Sequence, residues 1–219
     1  MTHIHAVIFD VDGTLVDSND AQARSWVDAL KEFGYSVPYE KVRPLIGMGG
    51  DKVLPETIGV QKDSEKGKQI SKRRGEIFKE KYLPNVQPFP DAQKLLDRMR
   101  KQGLKLAIAT SAQPDELRPL LQIVGAADLI EDKISARDVK SSKPDPDVMQ
   151  VALKRVGYPP NEVVMIGDAP YDIEAARKVG VGTIAFRCGG WSDSDLAGAI
   201  AINNDPADLL AHYDSSPLA

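Results

Sequence analysis

A single cysteine, Cys188, stands in 219 residues, so no disulfide can close within the chain and its stability must come from packing. That usage suits a reducing compartment. With Gly189 and Gly190 beside it, Cys188 has no neighbouring base and is a poor nucleophile candidate. No apolar run approaches the ~18 residues needed to span a bilayer. The chain also enters a strand pattern directly, without a leader-like segment, so a cytoplasmic protein that meets no membrane is expected. An excess of positive charge is missing too: 28 basic against 32 acidic residues leave a net charge of -4, which gives no reason to expect nucleic acid. Histidine is scarce, and His3 and His5, a His-x-His pair, read as a strand-edge feature rather than a metal site. What remains is an ordinary globular composition, 42% hydrophobic and 27% charged, long enough for one large domain or a core with a small insert.

Ala6-Val7-Ile8-Phe9 is apolar and β-favouring, as a buried first strand of a parallel sheet should be. It runs into Asp10-Val11-Asp12-Gly13-Thr14. Residues two apart on an extended chain share a face, roughly 6.5 Å between Cα atoms, so Asp10 and Asp12 can reach one ligand. Gly13 permits a sharp turn and Thr14 can tie it. Alone, this pentapeptide is equally good turn chemistry.

From residue 17 to 86 the pattern is helical throughout. Asp17, Ser18 and Asn19 are N-cap candidates for a helix carrying Trp26, Leu30 and Phe33. Gly47-Met48-Gly49-Gly50 interrupts a second apolar face, and a long polar helix follows from Ser64 to Tyr82. Residues 61–82 hold eight basic residues against four acids, without interleaved aromatics, and are expected to form a solvated surface. After Pro84, Pro88 and Pro90 the pattern alternates between helix and strand. Strands are expected at Leu104–Ala109, near Leu129–Ile130 or Ile134, at Val163–Ile166, Thr183–Phe186 and Ile200–Ile202. This alternation predicts an α/β fold, a doubly wound parallel sheet formed by 1–16 and 87–219, with 17–86 as an inserted helical lid.

Three more strand ends then join the first. Thr110-Ser111 offers hydroxyls and a helix start, suited to phosphate oxygens. Ser141-Ser142-Lys143-Pro144 presents a lysine on a stiffened loop. Gly167-Asp168 ends a strand, with Asp172 one turn into the next helix, so that both acids can face one point.

In order and spacing, Asp10-Val11-Asp12-Gly13-Thr14, Thr110, Lys143-Pro144, and Gly167-Asp168 with Asp172 resemble the four motifs of the haloacid dehalogenase (HAD) superfamily. The likeness covers essentially the whole chain. The helical insert is similar to the cap of the phosphoglycolate phosphatase and β-phosphoglucomutase subgroup. The resemblance implies a Rossmann-like core and a Mg²⁺-dependent phosphatase of a small phosphorylated metabolite. In it Asp10 is the nucleophile that carries an aspartyl-phosphate, and Asp12 the general acid and base. Thr110, Ser111 and Lys143 hold the phosphoryl group. Asp10, the Asp12 carbonyl and Asp168 hold the metal, with Asp172 supporting them.

An aspartate at position 12 also argues against dehalogenation, which needs no leaving-group acid. A phosphomutase is the close alternative, but Gln22 stands where that pattern has a cap histidine and Gly50 where it has an arginine, for which Lys52 or Arg43 would have to substitute. A non-catalytic receiver-like phospho-acceptor module fits poorly, because receivers are shorter and lack the insert. Specificity is expected from the loop Gly47 to Lys52, with Lys52 contacting the substrate, and from Gly189-Gly190-Trp191. A monomer is the default expectation.

Overall fold

The computed structural model describes residues 3–219. The first strand, β1 (Ala6–Phe9), is wholly buried and lies at the centre of the main sheet. A short ribbon strand, β2 (Val16–Asp17), leads to α1 (Asn19–Glu32), α2 (Tyr39–Val42), α3 (Gly50–Ile58) and α4 (Glu65–Ile77). The chain returns through β3 (Gln87–Pro88) and then alternates through α5 (Ala92–Lys101), β4 (Lys105–Ala109), α6 (Pro114–Val124), β5 (Asp132–Ile134), α7 (Asp147–Val156), β6 (Val163–Gly167), α8 (Pro170–Arg177), β7 (Gly182–Phe186), β8 (Ala201–Asn203) and α9 (Pro206–Ala211).

The main sheet has six parallel strands in the order β5-β4-β1-β6-β7-β8. The expected doubly wound α/β sheet is therefore present, and its strand order reverses at β1, where such sheets hold their ligands. Alternation along β1 gives each face its share of core. Val7 and Phe9 pack with Leu95, Leu96 and Leu120, while Ala6 and Ile8 pack with Val148, Met149 and Ala152. Register then sets the site. Phe9 lies opposite Ile108 of β4 and Ile166 of β6, so Asp10, Thr110 and Asp168 leave the same sheet edge at nearly the same level.

Between 19 and 85 the chain is helical, as the pattern predicts, and has an apolar centre of its own built from Trp26, Leu30, Val53, Leu54 and Ile70. It enters and leaves by the antiparallel ribbon β2–β3, in which Val16 pairs with Pro88 and Asp17 with Gln87. The long helix expected from Ser64 to Tyr82 is regular only to Ile77 and continues as a π turn over Phe78–Tyr82. The wider turn separates neighbouring side chains: Ile77 stays in the insert's core and Phe78 enters the core beneath the sheet. Elsewhere the pattern was off by a residue or two. Of the two places proposed for the strand after β4 the structure uses Ile134, and the last strand begins at Ala201. No helix among the described residues is long and apolar enough to cross a membrane.

Candidate active site

The turn after β1 is drawn tight by Gly13 N–H donating to Val16 O at 2.8 Å and Leu15 N–H to Val11 O at 2.9 Å. Gly13 takes φ +74°, and a Cβ there would run into Asn19 and Asp168. Glycine is thus required both by the backbone conformation and by the approach of two side chains.

Lys143 lies at the bottom of the site with no solvent exposure, its Nζ 2.9 Å from Asp10 Oδ1 and 2.6 Å from Asp172 Oδ1. Asp172 is fully engaged, since its other oxygen accepts the Ala169 N–H at 3.0 Å. Asp168 accepts from Thr14 Oγ1 and from Asn19 Nδ2, each at 2.9 Å. Asp12 accepts on one oxygen, Oδ1, from Ser18 Oγ at 2.5 Å and Gln22 Nε2 at 2.9 Å. Thr110 Oγ1 accepts the Ala112 N–H at 3.1 Å, which leaves its own proton free to donate into the site.

Electrostatically the cluster holds too much negative charge. Burial raises the Asp10 carboxyl well above its ordinary value, with Lys143 opposing and Asp172, Asp168 and Asp12 reinforcing the rise. Burial, with Asp172 beside it, pushes Asp168 up to about 7 despite the donors from Asn19 and Thr14. Against a burial penalty of its own, Lys143 is held above its usual value by Asp10 and Asp172. Asp10, Asp168 and Asp172 bring carboxylate oxygens within 4.8 Å of one another. Buried, all-oxygen and short of positive charge, this donor set fits a hard divalent cation.

Residues 7–186 match the family model described as haloacid dehalogenase-like hydrolase. The chain belongs to that family. A phosphoglycolate phosphatase of Yersinia pseudotuberculosis is 32% identical over 215 residues, covering 96% of this chain and 90% of the relative. A pyrophosphatase, PpaX, of Bacillus velezensis is 30% identical over 181 residues, 82% of each chain. Among solved structures, a hydrolase from Pseudomonas syringae superposes with a TM-score of 0.89 at 30% identity, covering 96% of this chain and 98% of its own. This HAD hydrolase therefore sits among relatives that carry phosphatase and pyrophosphatase names.

A cavity of about 460 Å³ opens above the cluster, between the sheet edge and the helical insert. Asp10, Asp12, Thr110 and Ser111 line it, as does the loop Ile46–Gly50. Ser111 Oγ donates to Gly47 O at 3.1 Å, so it also fastens that loop to the sheet edge. Lys52, expected to contact substrate, is not among the residues lining this cavity and pairs with Asp145 Oδ2 at 2.6 Å, on the loop that carries Lys143. Arg43 is likewise spent, on Asp20 Oδ1 at 2.8 Å and Gly189 O at 2.7 Å. The Gly189–Trp191 loop packs behind Asp168, where a Cβ on Gly189 would collide with that carboxylate.

Two further readings change. Ser18 stands at the N-cap position of α1 as expected, but its side chain makes no capping bond and holds Asp12, while Asn19, the first helical residue, holds Asp168. The basic helix is not simply a solvated surface, since Lys68, Lys72 and Arg74 of α4 face the cavity. Arg74 Nη1 donates to Gln22 Oε1 and to Glu116 Oε2, each at 2.9 Å, joining α4 to Asp12 through Gln22. The pattern offered one signal for this: Ser18 and Gln22 are one helical turn apart, on the face that follows the acid pair.

Proposed function

We propose that this HAD hydrolase is a Mg²⁺-dependent phosphatase that cleaves a small phosphorylated metabolite by way of an aspartyl-phosphate on Asp10. The observation that carries the reading is the convergence of Asp10, Asp12, Thr110, Lys143 and Asp168 at one level of one sheet edge, beneath a cavity. Asp10, the backbone carbonyl of Asp12 and Asp168 would hold Mg²⁺, and the bound ion would offset the repulsion between carboxylate and phosphate, which at intermediate dielectric is several kcal/mol for like charges ~4 Å apart.

The protein's own groups account for the remaining steps. Asp10 attacks phosphorus, dividing the hydrolysis into two easier displacements. The Lys143 ammonium, fixed by Asp10 and Asp172, neutralises charge on the transferring group, and the Thr110 hydroxyl and Ser111 N–H hold its oxygens. Ser18 and Gln22 both donate to Asp12 Oδ1, which directs the mobile proton to Oδ2. From there Asp12 protonates the leaving oxygen, then takes a proton from the water that opens the acyl phosphate. Asp172 orients Lys143. The helical block 17–86 acts as a cap over the core formed by 1–16 and 87–219, moving on the β2–β3 ribbon to admit substrate.

Gln22 has no titratable proton, and Arg43 and Lys52 are engaged elsewhere, which favours a phosphatase over a phosphomutase. Turnover of p-nitrophenyl phosphate with and without Mg²⁺ is the direct test, with Asp10→Asn as control. Metal-dependent release of p-nitrophenol that vanishes in the variant is expected. Wild-type turnover by Asp10→Asn would overturn the mechanism.

A further inference from the structure

Two consecutive residues of the helical insert hold the two ends of the turn that carries Lys143. Ser142 O accepts the Asp145 N–H at 3.0 Å, closing a turn over Lys143 and Pro144. Asp51, in the first turn of α3, accepts the Ser142 N–H on Oδ2 at 3.0 Å, and Lys52 pairs with Asp145 Oδ2 at 2.6 Å. A third contact lies beside them, where Gly49 N–H donates to Ser142 Oγ at 2.9 Å. A Cβ on Gly49 would stand 2.7 Å from Asp51 Oδ1 and 2.8 Å from Ser142 Cβ, so a side chain there would hold the insert's backbone off the turn. The glycine-rich interruption at 47–50 thus has a packing reason in the seam between insert and sheet edge.

Of these contacts the Asp51 bond bears most directly on Lys143. A first-turn acid commonly serves its own helix; this one accepts from another segment. Core residues grip the loop elsewhere, Asp147 at the Ser141 N–H and Lys178 at Pro144 O, which leaves the Ser142 N–H to the insert. Ser142 is 5% exposed, so without Asp51 that N–H would be left unmade in a buried place, at a cost. Lys143 follows directly, wholly buried, with its ammonium set between Asp10 and Asp172. A buried side chain of this kind cannot swing to a new position, so its place follows that of its backbone. A misplacement of ~1 Å in a catalytic constellation costs on the order of 10²-fold in rate. The Lys52–Asp145 pair, about one-third exposed on both sides, is screened and adds less. Asp51 and Ser142 also line a small void together with Thr110 and Ser111, so the clasp abuts the residues proposed to hold phosphate oxygens.

We infer that Asp51 is a positioning residue for Lys143: by holding the Ser142 N–H it sets the turn from which the lysine reaches Asp10. The consequence for turnover rests on the proposed role of Lys143 toward the transferring phosphoryl group, whereas the hold on the turn does not. Asp51 touches neither Asp10 nor the lysine's ammonium, and its effect passes through the backbone of the turn.

Local exchange and turnover test the two halves of this inference separately. Asp51→Ala removes the acceptor, Asp51→Asn keeps an oxygen in its place, and Gly49→Ala wedges the seam while leaving Asp51 and Lys143 intact. Thermal melts report folding, and either alanine variant carries the test if the other does not fold. Amide hydrogen exchange over residues 140–147, read by mass spectrometry, is expected to be roughly tenfold or more faster in both alanine variants and within about threefold of wild type in Asp51→Asn. Exchange equal to wild type in the alanine variants overturns the clasp. A mutant cycle with Lys143→Met then reads turnover of p-nitrophenyl phosphate. Asp51→Ala is expected to lower kcat by about 10- to 100-fold with KM changed less than about threefold, and Asp51→Asn to return kcat to within about threefold. In the Lys143→Met background the same Asp51→Ala change should lower kcat less than about threefold, since the group it places is gone. Equal losses in the two backgrounds, or an Asp51→Ala kcat within about threefold of wild type, overturn the positioning role. Failure of the wild-type protein to turn over any phosphate ester would instead refute the phosphatase reading. The cycle is then read from the affinity for inorganic phosphate in the presence of Mg²⁺, by calorimetry, where a loss confined to the lysine-bearing background supports the positioning role and an additive loss overturns it.

Discussion

Lys143 Nζ lies 2.9 Å from Asp10 Oδ1, and neither side chain reaches solvent to any useful extent. The ammonium is thus an integral part of the nucleophile's surroundings. Lys143→Met leaves Asp10 and Asp172 buried without their cation, a change that typically costs about 3–5 kcal/mol. Turnover of p-nitrophenyl phosphate is expected to drop by roughly three orders of magnitude, the scale of losing one preorganised charge contact to the transferring group. Denaturant melts and kcat measured on the same samples separate the two effects. Activity within tenfold of wild type in a folded Lys143→Met protein would remove Lys143 from the mechanism.

Asp12 presents one oxygen to Ser18 and Gln22 and keeps the other for proton transfer. Asp12→Asn should therefore slow both steps for an alkyl phosphate, by about 10²–10⁴. With p-nitrophenyl phosphate the leaving group departs without an acid, so the first step survives and only the second is impaired. Rapid mixing is then expected to show a burst of p-nitrophenol approaching one equivalent per enzyme. Equal slowing of both substrates without a burst would argue against the dual role.

The sheet, its strand ends and the motif residues were readable because each rests on a local pattern: an apolar run, a turn glycine, an acid at a fixed offset. Register did the rest, since Phe9 opposite Ile108 and Ile166 brings Asp10, Thr110 and Asp168 level without any long-range information beyond parallel pairing. The cap was harder to read. Whether a lysine on a polar helix faces water or a cavity depends on how that helix sits over another part of the chain. Lys52 and Arg74 look alike in sequence, yet the first closes an ion pair with Asp145 and the second reaches Gln22 and Glu116. Ser18 does sit at the N-cap its type suggests, but nothing local shows that its hydroxyl and the Asn19 amide donate to two buried carboxylates, which depends on where Asp12 and Asp168 lie.

Because Lys52 is joined to Asp145 at 2.6 Å and both are about one-third exposed, the pair is well screened. Lys52→Ala is expected to lower stability by no more than ~1 kcal/mol and to leave the substrate profile unchanged in a screen of phosphorylated metabolites. A selective loss of one substrate class would return Lys52 to the binding site.

The buried carboxylates should show their need for a cation directly. Adding Mg²⁺ to chelator-treated protein is expected to raise its melting temperature by several degrees, since a ligand at 100 times its Kd contributes about 2.7 kcal/mol. Asp168→Asn should lose most of that rise. A Mg²⁺ response in Asp168→Asn equal to wild type would place the ion elsewhere.

Glu116 supplies a pH signature away from the metal-binding acids. It is 2% exposed, and burial raises its pKa above the ordinary 4.5 even though Arg74, 2.9 Å away, pulls it down. Asp12 and Asp115 add to the rise. A carboxyl whose folded value exceeds its unfolded one binds its proton more tightly in the native state. Its contribution to stability is therefore fully present below about pH 4.5 and is lost as pH climbs through the higher folded value. Glutamine at this position keeps the shape and cannot titrate. The stability of wild type relative to Glu116→Gln, from urea melts at matched pH, should then decline as pH rises above about 4.5. Taking the difference between the two proteins cancels the titrating groups that do not interact with Glu116. A difference that grew with pH would mean that the Arg74 ion pair outweighs burial, and that Glu116 is held below its ordinary value instead.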